Sequence, residues 1–165
     1  MKIVPAYRGF TQIELILSMG ILMILISILT TVFGQILDVQ LNSKSVSSVD
    51  QNGRYILSRL IHDMQSASSI ASPSAVGQPS NTLKILVNSI NYTYSVSNSG
   101  NFVLTNNFGT NVLNSNAASI SGLTFTRLGS GGTNDTVRVG FTITSRTQRV
   151  QGSETKDFQT TLGLQ

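Results

Sequence analysis

From Leu15 to Leu37 the chain carries no Asp, Glu, Lys or Arg, and most positions are Ile, Leu, Met, Val or Phe. A helix of about 23 residues at about 1.5 Å per residue covers the roughly 30 Å of a bilayer core. Past Asp38 the composition changes abruptly to Ser, Thr, Asn and Gly. A chain of 165 residues therefore has room for one long element and one further domain. The pattern reads as a membrane segment joined to a polar ectodomain.

The charges support that division. Lys2 and Arg8 precede the apolar run, and basic residues flanking a span stay on the cytoplasmic side. The expected placement is single-pass in the cytoplasmic membrane, with a cytoplasmic N-terminus and an extracytoplasmic head. Of the net charge of +4, most comes from the ectodomain, where six Arg and three Lys outnumber six acidic residues. Arg127, Arg138, Arg146 and Arg149 form a group that suits a polyanion, although their strand-like setting favours a solvated sheet face. There is no cysteine, which excludes disulfides, thiolate chemistry and Cys-ligated metals.

An ordinary secretory signal has a shorter apolar stretch followed by a small-residue cleavage site. The exit here reads Thr30-Thr31-Val32-Phe33-Gly34-Gln35, without an A-x-A pattern, so the span should be retained. A plain signal anchor would account for that much. Glu14 asks for more, because a carboxylate driven toward mid-bilayer costs about 2.5–3.5 kcal/mol and usually has a partner. The alternative is a Glu in the headgroups, favoured by the helix macrodipole.

The segment Arg8-Gly9-Phe10-Thr11-Gln12-Ile13-Glu14-Leu15 resembles the processing motif of type IV prepilins and type II secretion pseudopilins. The resemblance implies cleavage between Gly9 and Phe10 by a membrane-embedded prepilin peptidase, and N-methylation of Phe10. It also implies that Glu14 pairs with the terminal amine of a neighbouring subunit, with Arg8, Thr11 and Leu15 completing the motif. The implied partners are other pilins or pseudopilins through the N-terminal helix, the peptidase and methyltransferase, the inner-membrane assembly platform, and membrane lipid before assembly. Many major pilins carry a proline about 22 residues into the mature chain; here Thr31 stands there, and Gly20 and Gly34 are the weak points, each costing a helix about 1 kcal/mol relative to Ala.

Beyond Leu37, Val46, Val49, Gly53, Ile56, Leu57, Leu60, Ile61 and Met64 recur at three- and four-residue steps, an apolar stripe on a polar helix. The spacing predicts one helix from about Thr11 to about Ser69, about 85–90 Å if unbroken, closed by Pro73. The stretch Arg59-Leu60-Ile61-His62-Asp63-Met64-Gln65-Ser66-Ala67 resembles the Leu-x-x-Asp-hydrophobic-x-x-Ala segment of J-type pseudopilins and W-type minor pilins. His62, the only histidine, reads as a surface residue rather than a metal ligand.

From Asn81 onward the pattern becomes strand-like over Thr82–Val87, Ile90–Val96, Asn101–Thr105, Ile120–Leu128, Thr136–Ser145 and Phe158–Leu164. In the fifth of these, Val137, Val139, Phe141 and Ile143 alternate with polar or small residues, one face in and one face out. Gly129-Ser130-Gly131-Gly132 reads as a flexible connection between hairpin-paired strands. The expected organisation is a leader at 1–9, a transmembrane or filament-core helix at 10–37, an amphipathic continuation at 38–72 and a β-rich head at 73–165. The fold class is α+β, a long helix packed on an antiparallel sheet, which is the lollipop shape of pilins. No catalytic motif, phosphate loop, calcium loop or compact carboxylate pair occurs, so neither an enzyme nor a cofactor is expected. The expected role is a filament subunit, a minor pilin or pseudopilin that primes, caps or decorates. A second reading makes the head a binding module for DNA, glycan or a surface.

Overall fold

Gly9, Phe10 and Thr11 belong to no regular element, and the backbone turns helical at Gln12 and stays so through Gln65. The computed structural model describes residues 9–129, 135–149 and 151–164. The leader expected at 1–9 lies outside these residues except for Gly9, as do Ser130, Gly131 and Gly132 of the glycine-rich connection. The helix, α1 (Gln12–Gln65), runs unbroken past Gly20, Thr31 and Gly34. The chain divides into two units, Met1–Gln40 and Leu41–Gln165.

In the first unit every described residue of α1 is exposed, including the whole charge-free run. By length and composition this segment can cross a membrane, which is compatible with a single-pass membrane protein. Its hydroxyls turn inward to the helix itself. Ser18 Oγ donates to the Leu15 carbonyl at 2.9 Å, Thr30 Oγ1 to that of Ile26 at 2.9 Å, and Thr31 Oγ1 to that of Ser27 at 3.0 Å. That satisfies polar groups that hydrocarbon cannot solvate.

In the second unit α1 packs into a β head, giving an α+β fold. The strands are β1 (Ala67–Ser72), β2 (Pro79–Ser80), β3 (Leu83–Val87), β4 (Ile90–Val96), β5 (Phe102–Asn106), β6 (Gly109–Val112), β7 (Ala118–Arg127), β8 (Thr136–Ser145) and β9 (Thr155–Gly163). They form two antiparallel sheets, ordered β1-β3-β4-β5-β6 and β2-β7-β8-β9, where one sheet was expected. The β3–β4 hairpin closes through Asn88 (φ 48°) and Ser89 (φ 65°), the paired positive dihedrals that match the twist of a two-residue hairpin. That turn sets Val87 opposite Ile90. β7 and β8 pair as expected across the glycine-rich connection.

Two boundaries differ from the sequence expectation. The helix stops at Gln65 rather than Ser69, because Ala67 and Ile70 are buried in β1 and the backbone of 67–72 pairs with β3. Ser-rich sequence has little helical preference to set against that pairing. Residues 66–72 thus leave the helical continuation. β1, β2 and β6 were not expected at all: β2 has two residues, and no side chain of β6 is buried, so neither carries an apolar alternation.

The core joins the sheets through a row of aromatic rings. Tyr94 lies 6.0 Å from Phe102, Phe102 6.1 Å from Phe141, and Phe141 stacks on Phe158 at 5.6 Å. These residues sit on β4, β5, β8 and β9 in turn, so the row crosses from one sheet to the other. Both ends of the row meet α1. At one end Tyr94 bonds to Asp63; at the other the Phe158 ring occupies the space where a side chain at Gly53 would begin.

Candidate functional site

The start of α1 is built by Thr11. Its carbonyl accepts the Glu14 N–H at 3.1 Å and the Leu15 N–H at 3.2 Å, and its Oγ1 accepts from Glu14 N at 3.4 Å. Thr11 is thus the N-cap, and Glu14 stands three residues on, in the Thr-x-x-Glu spacing of a capping box. That spacing was available in the sequence as a local helix-start signal, separate from any processing motif. A carboxylate in the first turn is also favoured by the helix macrodipole.

Around this cap the motif residues are open. Phe10 is 80 % exposed, Leu15 and Glu14 are exposed, and among the described residues nothing beyond Gly9's own chain neighbours lies within 4 Å of where a Cβ on Gly9 would be. Arg8 lies outside the described residues. Among the described residues Glu14 makes no ion pair. The arrangement therefore presents an accessible Gly9–Phe10 bond and an unpaired carboxylate, both immediately ahead of an apolar helix.

The second cluster lies at the other end of α1. Leu60, Asp63, Met64 and Ala67, the four fixed positions of the Leu-x-x-Asp-hydrophobic-x-x-Ala segment, are all buried, whereas Ile61, His62, Gln65 and Ser66 between them are exposed. Asp63 is a carboxylate only 3 % exposed, and Oδ2 accepts from Arg59 Nε at 2.7 Å and from the Tyr94 hydroxyl. Burial, followed by the hydrogen bond and negative charge of Asp63, pushes the Tyr94 phenol far above its ordinary value, with Arg59 opposing. Tyr94 was not singled out in the sequence; its only signal was an aromatic at an inward position of a predicted strand. The cluster is a structural lock: Met64 lines a small cavity of about 200 Å³ with Thr161 and Leu162, but Asp63, Arg59 and Tyr94 line none of the described cavities.

The four arginines do not converge. Arg127 pairs with Asp135 and donates to the Ser74 carbonyl at 3.4 Å. Arg146 donates to the Ser99 carbonyl at 2.8 Å. Arg149 holds Glu154 at 2.9 Å, the Gly152 carbonyl at 2.9 Å, and Asn42 Oδ1 on α1. Arg138 alone of the four stands exposed without such a contact among the described residues. Three of the guanidinium groups thus hold the head together, which leaves little for a polyanion.

No family model, curated protein or solved structure matches the chain.

Proposed function

We propose that this chain is a structural subunit of a type IV pilus-like filament, a minor pilin or pseudopilin cut by a prepilin peptidase between Gly9 and Phe10 and N-methylated on Phe10. In this reading it is first held in the cytoplasmic membrane by its apolar helix, with the head outside. It then moves into an extracellular or periplasmic filament, where its role is to prime, cap or decorate rather than to form the bulk. The partners are other pilins or pseudopilins through the helix, the peptidase and methyltransferase, and the inner-membrane assembly platform.

The observation that carries the reading is Gly9-Phe10-Thr11-Gln12-Ile13-Glu14 set directly against a charge-free helical run. Two features support it. Glu14 has no cation among the described residues, so the amine released on a neighbour by cleavage supplies the partner that a carboxylate near hydrocarbon requires. Methylation leaves that amine positive. The apolar run is exposed on all sides, and in a filament the neighbouring helices would cover it.

Mass spectrometry of the mature N-terminus is the test. Chain purified from cells with an active prepilin peptidase should begin at methylated Phe10. Recovery of intact Met1 from such cells would overturn the reading.

A further inference from the structure

Helix positions 44, 48, 52 and 55 recur every three or four residues and so form one row on α1. Facing that row is the segment between β6 and β7, and between them runs an open groove of about 500 Å³ lined by Lys44, Ser48, Gln51, Asn52, Tyr55 and Ser115. Small-molecule sites occupy about 300–1,000 Å³. Eleven rises of about 1.5 Å from position 44 to position 55 give the row a length of about 16 Å.

The groove is held in shape by two asparagines. Asn52 Oδ1 accepts the Ser115 N–H at 2.7 Å, while its Nδ2 donates to the Ser48 carbonyl at 2.7 Å and to Ser115 Oγ at 3.1 Å. Asn114, itself buried, accepts the Phe102 N–H at 2.7 Å and donates to the Ala118 carbonyl at 2.8 Å. Both walls are therefore fixed before any ligand arrives, which lowers the ordering cost of binding.

The lining has a specific chemistry. Ser48 Oγ is buried in the wall with no hydrogen-bond partner among the described residues, and reaching a polar occupant would take a turn about χ1. Gln51 Nε2 donates to Ser47 Oγ at 3.0 Å, which leaves its carbonyl to accept. Tyr55, 54 % exposed, stands at one end, Lys44 stands exposed at the other, and no carboxylate lines the groove among the described residues. Neutral hydroxyl and amide groups, the apolar side chains of Leu113 and Ala117, one aromatic face and one cation suit a ligand rich in hydroxyls that carries an apolar ring face and a negative group.

We propose that this groove binds a short acidic oligosaccharide. The C–H face of one sugar ring packs on Tyr55, hydroxyls exchange hydrogen bonds with Ser48 and Gln51, and the carboxylate meets Lys44 in a charge-assisted contact. The groove shares no residue with the start of α1, so the inference stands or falls independently of the filament reading.

The test is an array of neutral and uronic-acid-bearing oligosaccharides probed with the full chain in detergent micelles, followed by calorimetry on the best binder. Each variant is first checked for a wild-type circular dichroism spectrum. Uronic-acid oligosaccharides should bind, Tyr55→Ala should abolish binding at concentrations that saturate the wild type, and Lys44→Met should remove the preference for acidic over neutral sugars. Phe108→Ala, which removes an exposed aromatic outside the groove, should bind like wild type. If Tyr55→Ala fails to fold, loss of the acidic preference in Lys44→Met still supports the proposal, and its retention overturns it. Absence of any bound oligosaccharide overturns it, as does an equal loss in Phe108→Ala. Self-association suppressed by Tyr55→Ala, with no sugar bound, would assign the groove to a second copy of the chain and also overturn it.

Discussion

Tyr94 on β4 donates its hydroxyl hydrogen to Oδ2 of Asp63 on α1, tying the five-stranded sheet to the helix where both residues are buried. A hydrogen bond to a charged group contributes about 1.5–3 kcal/mol, so Tyr94→Phe should destabilise the head by that amount. Asp63→Ala should cost about 1–3 kcal/mol, because it strands the buried Tyr94 hydroxyl while Arg59, 37 % exposed, regains water. Arg59→Met should cost more than either, up to about 3–5 kcal/mol, because it leaves the Asp63 side chain, 4 % exposed, buried without its cation. Chemical unfolding of the full chain in detergent, followed by near-ultraviolet circular dichroism, gives the ranking. Wild-type stability in Tyr94→Phe would refute the lock.

The same hydroxyl predicts alkaline sensitivity. Its folded pKa is raised, first by burial and then by Asp63, above the ordinary tyrosine value of about 10. Below that ordinary value both states hold the proton and the stabilisation is complete. Above it the unfolded chain releases the proton while the folded chain keeps it, so stability falls as pH rises, by at most about 1.4 kcal/mol per pH unit for this one group. Unfolding free energies from about pH 8 to about pH 11 should fall more steeply in the wild type than in Tyr94→Phe. Parallel curves would remove Tyr94 as the cause.

Gly53 allows α1 to approach β9. A Cβ there would lie 2.7 Å from Phe158 Cε2 and closer still to Cζ and Cε1. Ala restores about 1 kcal/mol of helix preference, but overpacking costs about 1–3 kcal/mol, so Gly53→Ala should be destabilising on balance. Combining it with Phe158→Leu should recover part of the loss, because the two changes act on one space. Purely additive effects in a double-mutant cycle would show that the contact is not shared.

The two duties proposed for Glu14, amine pairing and helix capping, are separable, and the side chain chosen to replace it tells them apart. Gln keeps the capping-box geometry but not the charge; Ala removes both. If Glu14 pairs with a neighbour's amine, Glu14→Gln and Glu14→Ala should both insert in the membrane and both be missing from sheared filaments. Filament entry by Glu14→Gln at the wild-type level would leave only the cap.

The parts of the fold that were legible in sequence are those where polarity and burial agree. Val137, Val139, Phe141 and Ile143 alternate in sequence and are all buried in β8. On α1 the stripe correctly picks out Val49, Gly53, Ile56, Leu60 and Met64, but Val46 and Ile61 are exposed, and Ser45, Asn52 and Asp63 are buried on the same helix. Hydropathy alone assigns those three to water, because what keeps Asn52 and Asp63 buried is a partner distant in the chain. Ser115 is 63 residues from Asn52, and Tyr94 is 31 from Asp63. The helix-start motif was readable because it is contiguous. The groove was not, since it exists only once the β6–β7 segment meets the helix.

Ser66 alone separates the last helical residue from the first residue of β1. β1 forms one border of its sheet, and borders are where strands trade places between molecules. With so short a tether, β1 has no slack: to be lent to another copy it must uncoil the end of α1 and pull Met64 and Ala67 out of the core. Exchange of β1 itself is closed off, whereas addition of a further strand, which moves nothing, remains open at both borders, β1 and β6.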